Sequence, residues 1–545
     1  MTDASYISID QNCHPLWDTV PKLEALAAHG WQGVHCIEDI DVAFSRQGAL
    51  PGDTGLALLP ERTYRGGHSD WGAALFAHDL LGRLPLDVRT LEPYTGRTTA
   101  ALARFLETSV DGLYERWAGS DNWQLVGPSY AADPRWHRLI GDVRLAEAGP
   151  FVLQLLDHAR ADLLERFPES GPQQRLQEWF AGQRSLAATV IASEPQAPLT
   201  ELYRRWLLAC LGPSTRLALT SERFALRRLA ATDPLLRLFL ERYAEAADAY
   251  NTALQQTATG MTPLHVEAGE LPFFVTIRQE GRLLRSAAAW RTGAIEAAGR
   301  RWPLTAAGGL PVADLERDGV VALAGKALLL VLQARLGPEG ATLALPHLGS
   351  LYMPAAYAFE RILRERGLLR EAPRPVIRVR FRFLEHWRGC RTLVRPPAYL
   401  CQALGIDEAP ATVVGEALEA AMVAARRTLE ALRDSGQREG LVRTRFAAWS
   451  AEREALDAER RQIAADPQQR PAATALWQRI KEIDRRLAAA HAEWVLQLLR
   501  LLDVAYYDSR GALLPWCTAL EGEALYRRLI AQAEIIPEGA SPPLA

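Results

Sequence analysis

The sequence is poor in residues that mark several large classes of protein. Its 545 residues include only six cysteines, and no two of them form a CxxC pair: Cys13, Cys36, Cys210, Cys390, Cys401 and Cys517. The sequence therefore predicts neither a disulfide framework nor a zinc knuckle. Lysine is scarcer still, because arginine supplies nearly all the positive charge beside Lys22, Lys326 and Lys481.

Long hydrophobic runs and an excess of one charge are also missing. No apolar run reaches the length of a membrane span, and MTDASYISID lacks the basic and apolar regions of a signal peptide. The net charge of -3 gives no whole-chain field that would attract nucleic acid or anionic lipid. We therefore expect a cytoplasmic protein that binds neither nucleic acid nor membranes. With 48% hydrophobic residues, the chain can build two or three domains.

The common catalytic motifs are missing as well. The histidines show no HExxH or paired spacing, and His68 with Asp70 in RGGHSDWG has no third ligand nearby, so no metal site is predicted. EPYTGRTT, residues 92–99, has one glycine and no lysine, which excludes a Walker loop.

The N-terminal part of the chain has the pattern of an α/β protein. Ser5–Ile9 and Gly33–Ile37 are predicted to be short buried strands, and Leu16–His29 between them has helical periodicity. Leu86–Leu91 is predicted to be a third strand, followed by a helix over Thr98–Trp117. A strand, a helix and a second strand in this order predict a parallel sheet.

The middle of the chain continues this α/β pattern. ELPFFVTIRQEGRLLRSAAAW alternates like a β-hairpin with its turn at Glu280 and Gly281. GKALLLVLQARL is helical, and ATLALPHLGS after it runs from an apolar strand into a loop of small residues. PVIRVRFRFLE is a strand with alternating arginines. We therefore predict a Rossmann-like parallel-sheet core over residues 1–390.

The composition changes after a linker at residues 391–411. Ala, Leu, Glu and Arg dominate Gly415–Arg433, Leu441–Ala464 and Ala472–Leu502, with apolar residues three and four apart. We predict an α-helical coiled coil over residues 412–503, a C-terminal tail over 504–545, and a homodimer formed through the coiled coil. The alternative is a helical subdomain that folds back on its own body.

Polar residues follow both N-terminal strands where each strand ends. Gln11, Asn12 and His14 follow the first strand, and the second is followed by three acidic residues, Glu38, Asp39 and Asp41. Ligands of parallel sheets bind outside the carboxyl ends of the strands, so both sets would face one crevice. Amides can hold substrate hydroxyls or carboxylates, and carboxylates can act as general bases or hold an amine. The alternative is that both sets only form turns and helix caps.

Two further segments contain candidate anion-binding residues. Thr95 and Arg97 could surround an anion such as a nucleotide phosphate at a helix start, although helix capping by Thr95 or Thr98 explains the pattern too, so the sequence establishes no cofactor. Arg378 shares one strand face with Arg380 and Arg382, so that face meets solvent, carboxylates or an anionic ligand.

Several segments together resemble one family, the cysteine-adding ligase of bacillithiol biosynthesis. They are LTELYRRWLLACLGPSTRLALTSERFALRRLA, GMTPLHVEAGELPFFVTIRQEGRLL, ALLLVLQARL, ATLALPHLGS and VIRVRFRFLE, and a helical domain follows them as it does in that family. The likeness covers about residues 199–502 and consists more of order and spacing than of identity.

The N-terminal segments are similar to the same family more loosely. IDQNCHPLW aligns with a "TGQQPGLF" loop at Gln11 and Asn12, and IEDIDVAF aligns with "SEDHDF" at the three acidic residues. Gly349 keeps the family's loop glycine, with Ser350 after it, and Arg378 falls on a family arginine. Four positions depart from the family pattern, where a glycine, a histidine, an arginine and an aspartate are expected: Asp10, Ile40, Leu329 and Ala334.

The resemblance implies an amide-forming ligase that joins cysteine to a malyl-glucosamine. Glu38, Asp39 and Asp41 would then be catalytic. Substrate would be held by a second set of residues: Gln11, Asn12, His14, Gly349, Ser350 and Arg378. Because Ile40, Leu329 and Ala334 stand where polar side chains are expected, the alternative is a catalytically silent paralogue that acts as a dimeric binding or scaffolding subunit.

Overall fold

The largest sheet is mixed in direction but mainly parallel. The computed structural model describes residues 5–9, 16–44, 55–67, 69–127, 138–228, 233–257, 259–350 and 352–538. Six strands form the sheet in the spatial order β16 (Glu534–Glu538), β13 (Val376–Arg380), β12 (Thr342–Pro346), β1 (Ser5–Ile9), β2 (Gln32–Ile37) and β6 (Leu217–Leu219). All pairs from β13 to β6 are parallel, and β16 is antiparallel to β13. The predicted α/β class with a parallel sheet is confirmed.

Both faces of this sheet are buried under helices. Successive residues of a strand point to opposite faces, so Tyr6 and Ile7 belong to two different hydrophobic clusters. The cluster of Tyr6 contains residues of the helices Leu16–Ala28, Leu145–Arg166, Ser170–Ser193, Leu199–Leu211, Leu513–Leu520 and Glu523–Ala531. The cluster of Ile7 contains residues of Pro234–Glu241, Tyr243–Gln256, Ala327–Gln333 and Met353–Glu365.

Within the described residues there are three smaller sheets beside the main one. An antiparallel sheet has the order β10 (Arg300–Pro303), β9 (Ala294–Ala297), β8 (Arg282–Arg291), β7 (Glu270–Gln279) and β11 (Val320–Gly325). The others are β3 (Ala57–Arg62), β5 (Gly119–Val126) and β4 (Ala74–Phe76), and the pair β14 (Leu393–Val394) and β15 (Ala409–Pro410). The predicted hairpin turn is confirmed between β7 and β8, because Glu280 and Gly281 both have positive φ, as a tight two-residue turn requires.

The C-terminal half of the chain is mostly helical. Its helices include Ala398–Leu404, Ala411–Arg433, Ser435–Arg445, Ala447–Ile463 and Arg470–Arg510, while shorter ones elsewhere are Glu92–Thr95, Thr99–Phe105, Val110–Trp117, Thr220–Arg223 and Val312–Arg317. The 41-residue helix packs on Ala447–Ile463 through Leu456 and Ile480, and its last turns join the main core through Val504 and Tyr507. None of the helices in the described ranges is both long and apolar enough to cross a bilayer.

The prediction of a strand at Leu86–Leu91 is wrong. Val88–Leu91 is a 3-10 helix, because the Asp87 carboxylate accepts the backbone N–H of Arg89 at 3.0 Å and so caps a helical turn. The helix expected over Thr98–Trp117 is two helices, since Ser109 caps a second one by accepting the N–H of Gly112.

The segment predicted as a C-terminal tail contributes to the folded body. Residues 504–538 include the end of the long helix, two further helices and β16. β16 closes one edge of the main sheet with five residue pairs to β13. Pro537 fits there because an edge strand tolerates a residue without a backbone N–H.

Candidate functional site

The carboxyl ends of three neighbouring strands meet at one edge of the main sheet. β1 pairs in parallel with β2, Ile9 opposite Cys36, and on its other side with β12. The strand order thus runs in opposite directions from β1, which is where open parallel sheets form a ligand crevice. Glu38, Asp39 and Asp41 follow β2 at this edge. Gln11, Asn12 and His14 follow β1 but lie outside the described residues.

A cavity of about 390 Å³ lies at this edge, and we call it the first cavity. Such a volume is at the small end of the range for small-molecule sites. Its wall combines residues that follow β2 and β11 with residues of the β7–β8 hairpin, and includes Glu38, Ile40, Asp41, Trp71, Thr220, Thr276, Phe274, Arg285, Lys326, Leu330 and Tyr352.

Glu38 is the most perturbed acid in the first cavity. Its side chain is buried, and its Oε1 accepts the backbone N–H groups of Ile40 at 2.8 Å and Asp41 at 2.9 Å. Burial raises the pKa of Glu38 to about 8, and the neighbouring Asp41 and Asp39 carboxylates add to the rise. Glu38 therefore holds a proton at neutral pH.

The other two acids are held by protein groups. Asp39 accepts hydrogen bonds from the backbone N–H and the hydroxyl of Ser221, and burial raises the pKa of Asp39 to about 6 despite these bonds. Asp41 forms an ion pair with Arg285 and accepts the N–H of Val42 at 2.8 Å. Asp39 thus fixes the loop after β2 against Ser221, and Asp41 presents a paired charge to the cavity.

Two cations lie on an aromatic ring in the same wall. The Arg285 guanidinium is 3.7 Å from the centroid of the Phe274 ring, and the Lys326 ammonium is 5.6 Å from it. Lys326 also forms an ion pair with Glu270. The wall therefore contains two positive side chains beside the Glu38 and Asp41 carboxyl groups, which suits a substrate that has both a carboxylate and an amine.

The loop after β12 is strained and held by Arg378. Leu348 and Ser350 have φ of 58° and 61°, a conformation that costs of order 1 kcal/mol or more for such residues. Gly349 between them faces the Arg510 guanidinium, whose Nη1 would be 2.9 Å from an added Cβ. The Gly349 carbonyl accepts a hydrogen bond from Arg378 at 2.8 Å. Gly349 and Ser350 therefore shape the crevice edge that leads to Tyr352.

Arg378, for which the sequence predicts a substrate-binding role, contacts groups of its own chain. Its guanidinium donates to the Glu538 carboxylate at 2.6 Å and 3.0 Å and to two carbonyls of the β12 loop. The carboxylate that Arg378 meets is thus its own chain's, on β16. Arg380 and Arg382 likewise pair with Glu534.

Thr95 and Arg97, the residues of the predicted nucleotide site, also contact groups of their own chain. The position of an anion at the next helix start is taken by the Glu92 carboxylate, which accepts the backbone N–H of Thr99 at 2.7 Å and its hydroxyl at 2.6 Å. Thr95 donates to the Leu91 carbonyl, and the Arg97 guanidinium lies 4.1 Å from the centroid of the Phe105 ring. The EPYTGRTT segment is therefore a capping structure.

The departures from the family pattern differ in their surroundings. Leu329 and Ala334 are fully buried in the cluster of Ile7, where a charge would have no water. Ile40 lines the first cavity, so its side chain makes that wall more apolar than a histidine would. Gln333, on the same helix as Leu329, accepts the N–H of Gly325 at 2.6 Å and donates to Asp233.

A second cavity of about 350 Å³ lies on the other side of Trp71, which lines both. It is bounded by the β3–β5–β4 sheet, the end of the 41-residue helix and the first turn of Leu16–Ala28. Its lining residues include Asp18, Glu61, Asp70, Trp71, Asn122, Gln124, Tyr506 and Arg510.

Sequence reasoning missed Arg285, Lys326, Tyr352 and Trp71. Arg285 is 244 positions from Asp41, and hairpin alternation gives no sign of that contact. The sequence offered one sign that Lys326 belongs to the site, because it is one of three lysines and directly follows a buried strand.

Within the described ranges, no group of three or more His, Cys, Asp or Glu side chains is arranged to hold a metal ion. No protein-family model, curated protein or solved structure matches this chain.

Proposed function

We propose that the chain is a divergent cysteine-adding ligase-like enzyme that works in the first cavity. It would join cysteine, or a similar amine, to a malyl-glucosamine-like acceptor in the synthesis of a low-molecular-weight thiol. The observation that carries the proposal is a proton-holding carboxyl group, Glu38, in one wall with the Asp41–Arg285 pair and Lys326. Perturbed acids in a concave site are candidates for proton transfer.

Four side chains of the wall would share the steps of amide formation. Lys326 and Arg285 would hold carboxylate groups of the two substrates. Asp41 would attract the substrate amine. As the C–N bond forms and the C–O bond of the attacked carboxyl group breaks, the leaving oxygen would depart as water. Glu38 would donate one of the two protons of that water, and the amine would supply the other through Asp41.

The test is a product assay with the full chain. Cysteine and malyl-glucosamine are incubated with the protein, with and without ATP and Mg²⁺, and the amide product is measured by mass spectrometry. We expect product from the unchanged chain and a loss of about 10²–10⁴-fold in rate for Glu38→Gln. Absence of product, where an authentic family member gives it, rejects this substrate pair.

A catalytically silent binding subunit is the second candidate, and the engagement of two acids favours it. Asp39 is held by Ser221, and Asp41 is held by Arg285, so neither is presented alone to a ligand. Calorimetry separates the candidates: tight binding of cysteine or a sugar-malate conjugate without turnover supports the binding subunit.

Three finer expectations belong with this proposal. The order of the main sheet supports a Rossmann-like core, and the helices Ala447–Ile463 and Arg470–Arg510 support a coiled coil that pairs two chains. Trp449 and Trp477 on these helices are 36% and 41% exposed, which gives such a pairing two apolar contacts. The cysteines Cys36, Cys210, Cys390, Cys401 and Cys517 are free thiols, as expected of a cytoplasmic protein.

A further inference from the structure

Three residues that line the second cavity each have a buried N–H group without a hydrogen-bond partner. Within the part of the chain that the structure describes, Trp71 Nε1, Gln124 Nε2 and Arg510 Nε are buried and have no hydrogen-bond partner. All three residues line this cavity, and Gln124 is only 2% exposed. Buried polar groups in folded proteins are nearly always paired, so three unpaired donors around one cavity indicate a ligand with acceptor atoms.

The acceptors of the same cavity are fixed in place. Asn122, on strand β5, donates to the Glu61 carboxylate at 3.1 Å and accepts a hydrogen bond from the Tyr507 hydroxyl at 2.7 Å. Its amide therefore fixes the position of the Glu61 carboxylate. Asp70 accepts the Tyr64 hydroxyl at 2.8 Å. Burial raises the pKa of Glu61, and the nearby Asp70 charge acts in the same direction. These carboxyl groups therefore face the cavity with defined positions.

The balance of charge decides what kind of ligand fits. Asp18, Glu61 and Asp70 are acidic, and Arg510, which is 4.0 Å from Asp18, is the cation among the lining residues. An anionic ligand would meet more like than unlike charge. A hydroxyl group both accepts and donates, so it can use the unpaired donors and the carboxyl groups together. Trp71 and Tyr506 add aromatic surface for the apolar face of a ring.

We propose that the second cavity binds a neutral, polyhydroxylated molecule about the size of one sugar ring, held by Trp71, Gln124 and Arg510 as donors. The site is separate from the first cavity, from which Trp71 divides it, and it does not depend on the proposed function.

The test is a binding measurement with methyl α-D-glucopyranoside and myo-inositol as probes. Saturation-transfer difference NMR on the full chain gives the dissociation constant of each. We expect saturable binding of at least one probe, weakened about 3- to 10-fold by Gln124→Leu and by Trp71→Phe, since each substitution removes one neutral hydrogen bond. Gln174→Leu, the same substitution at an exposed glutamine outside the cavity, should leave the affinity unchanged.

A thermal melt of the free protein separates ligand binding from a structural role. Because Gln124→Leu and Trp71→Phe remove unpaired buried donors, both variants should melt at the same temperature as the unchanged chain or higher. Lower melting of both variants would show that these groups serve the fold and would overturn the proposal.

Three binding results would also overturn the proposal. They are no binding of either probe, unchanged probe affinity in both variants, and binding of the anion citrate that Gln124→Leu weakens by the same factor as it weakens probe binding. Failure of the amide assay with intact probe binding rejects only the proposed function, whereas amide formation without probe binding rejects only this site.

Discussion

Glu38 shows how one residue can acquire chemistry from its surroundings. Its Oε1 is occupied by two backbone N–H groups, which favour the charged form, yet burial and the Asp41 and Asp39 charges outweigh them. The proton therefore stays on Glu38 where an ordinary glutamate would have lost it. The same burial that produces this acid makes the folded state less stable once the acid ionises.

The raised pKa of Glu38 predicts a pH-dependent stability difference. The folded pKa of about 8 is above the ordinary value of 4.5, so the stability that protonated Glu38 contributes is complete below pH 4.5 and is lost as the pH rises through 8. Glu38→Gln, which stays neutral, should melt increasingly above the unchanged chain from pH 5 to 8, and the difference should level off above pH 8. Melting curves across this range measure it. Glu267→Gln, on an exposed residue, is the control, and a difference that is constant with pH would contradict the account.

The Asp41–Arg285 pair predicts a partial loss of stability when it is broken. The two side chains are 28% and 19% exposed, so the cost of Arg285→Ala should lie between the values for exposed and buried pairs, at about 1–3 kcal/mol. Adding Asp41→Asn should recover part of this free energy of unfolding, because it removes the charge left behind. Denaturant unfolding measures both.

The exposed pair of Arg237 and Glu241 is the matched control for this cycle. Its side chains are 77% and 55% exposed, so Arg237→Ala should cost less than about 0.5 kcal/mol. Equal costs at the two pairs, or no recovery in the double variant, would contradict the assignment of a half-buried pair in the first cavity.

At the scale of single residues, some residues near the first cavity could be predicted from the sequence and others could not. The position of Glu38, Asp39 and Asp41 at the carboxyl end of β2 could be predicted, because they directly follow a strand. Arg285 could not, since its contact with Asp41 depends on how the hairpin docks on the main sheet. The ion pair of Arg378 with Glu538 could not be predicted either, because Glu538 lies 160 positions away.

At the scale of elements, the edge strand β16 depends more on contacts with a distant part of the chain than on its own sequence pattern. Its sequence, EIIPE, is short and contains a proline, so nothing in it predicts a strand. It forms because Glu538 and Glu534 meet the arginines of β13, whose alternation was visible. Leu86–Leu91 is the converse case. Its sequence predicted a strand, but the helix cap that Asp87 supplies makes Val88–Leu91 a 3-10 helix instead.

The two glutamates of β16 make a matched pair of substitutions. Glu538→Ala removes a 5%-exposed carboxylate and leaves the Arg378 charge buried, so it should cost about 3–5 kcal/mol of unfolding free energy. Glu534→Ala, at a 35%-exposed carboxylate, should cost less than about 1 kcal/mol. Chemical denaturation of both variants measures the difference, and equal costs would contradict the account.

At the scale of the whole molecule, the long C-terminal helix connects the helical part to the sheet edge. Its first half packs on Ala447–Ile463, whereas its end supplies Tyr506 and Arg510 to the second cavity. Hydrophobic spacing predicted a helix here but not where the helix would end. The second cavity therefore includes a wall from a part of the chain that the sequence predicted to be separate from the core.

The proposed homodimer predicts a measurable mass in solution. Analytical ultracentrifugation of the unchanged chain should give twice the chain mass, and Trp449→Glu or Trp477→Glu should shift it toward the monomer, because each places a charge on the proposed contact. Val423→Glu, at another exposed apolar residue outside these two helices, is the control. A monomeric unchanged chain would reject the pairing but would leave both cavities untouched.

The protonation of Glu38 is the most direct test of the account, because the proposed chemistry depends on it. Carbon-13 labelling of the glutamate carboxyl groups, with Glu38→Gln used to assign the signal, allows its titration to be followed by NMR on the full chain. We predict a midpoint near pH 8 for the Glu38 signal. A midpoint near pH 4.5, as for an ordinary glutamate, would contradict the claim that the first cavity holds a proton donor at neutral pH.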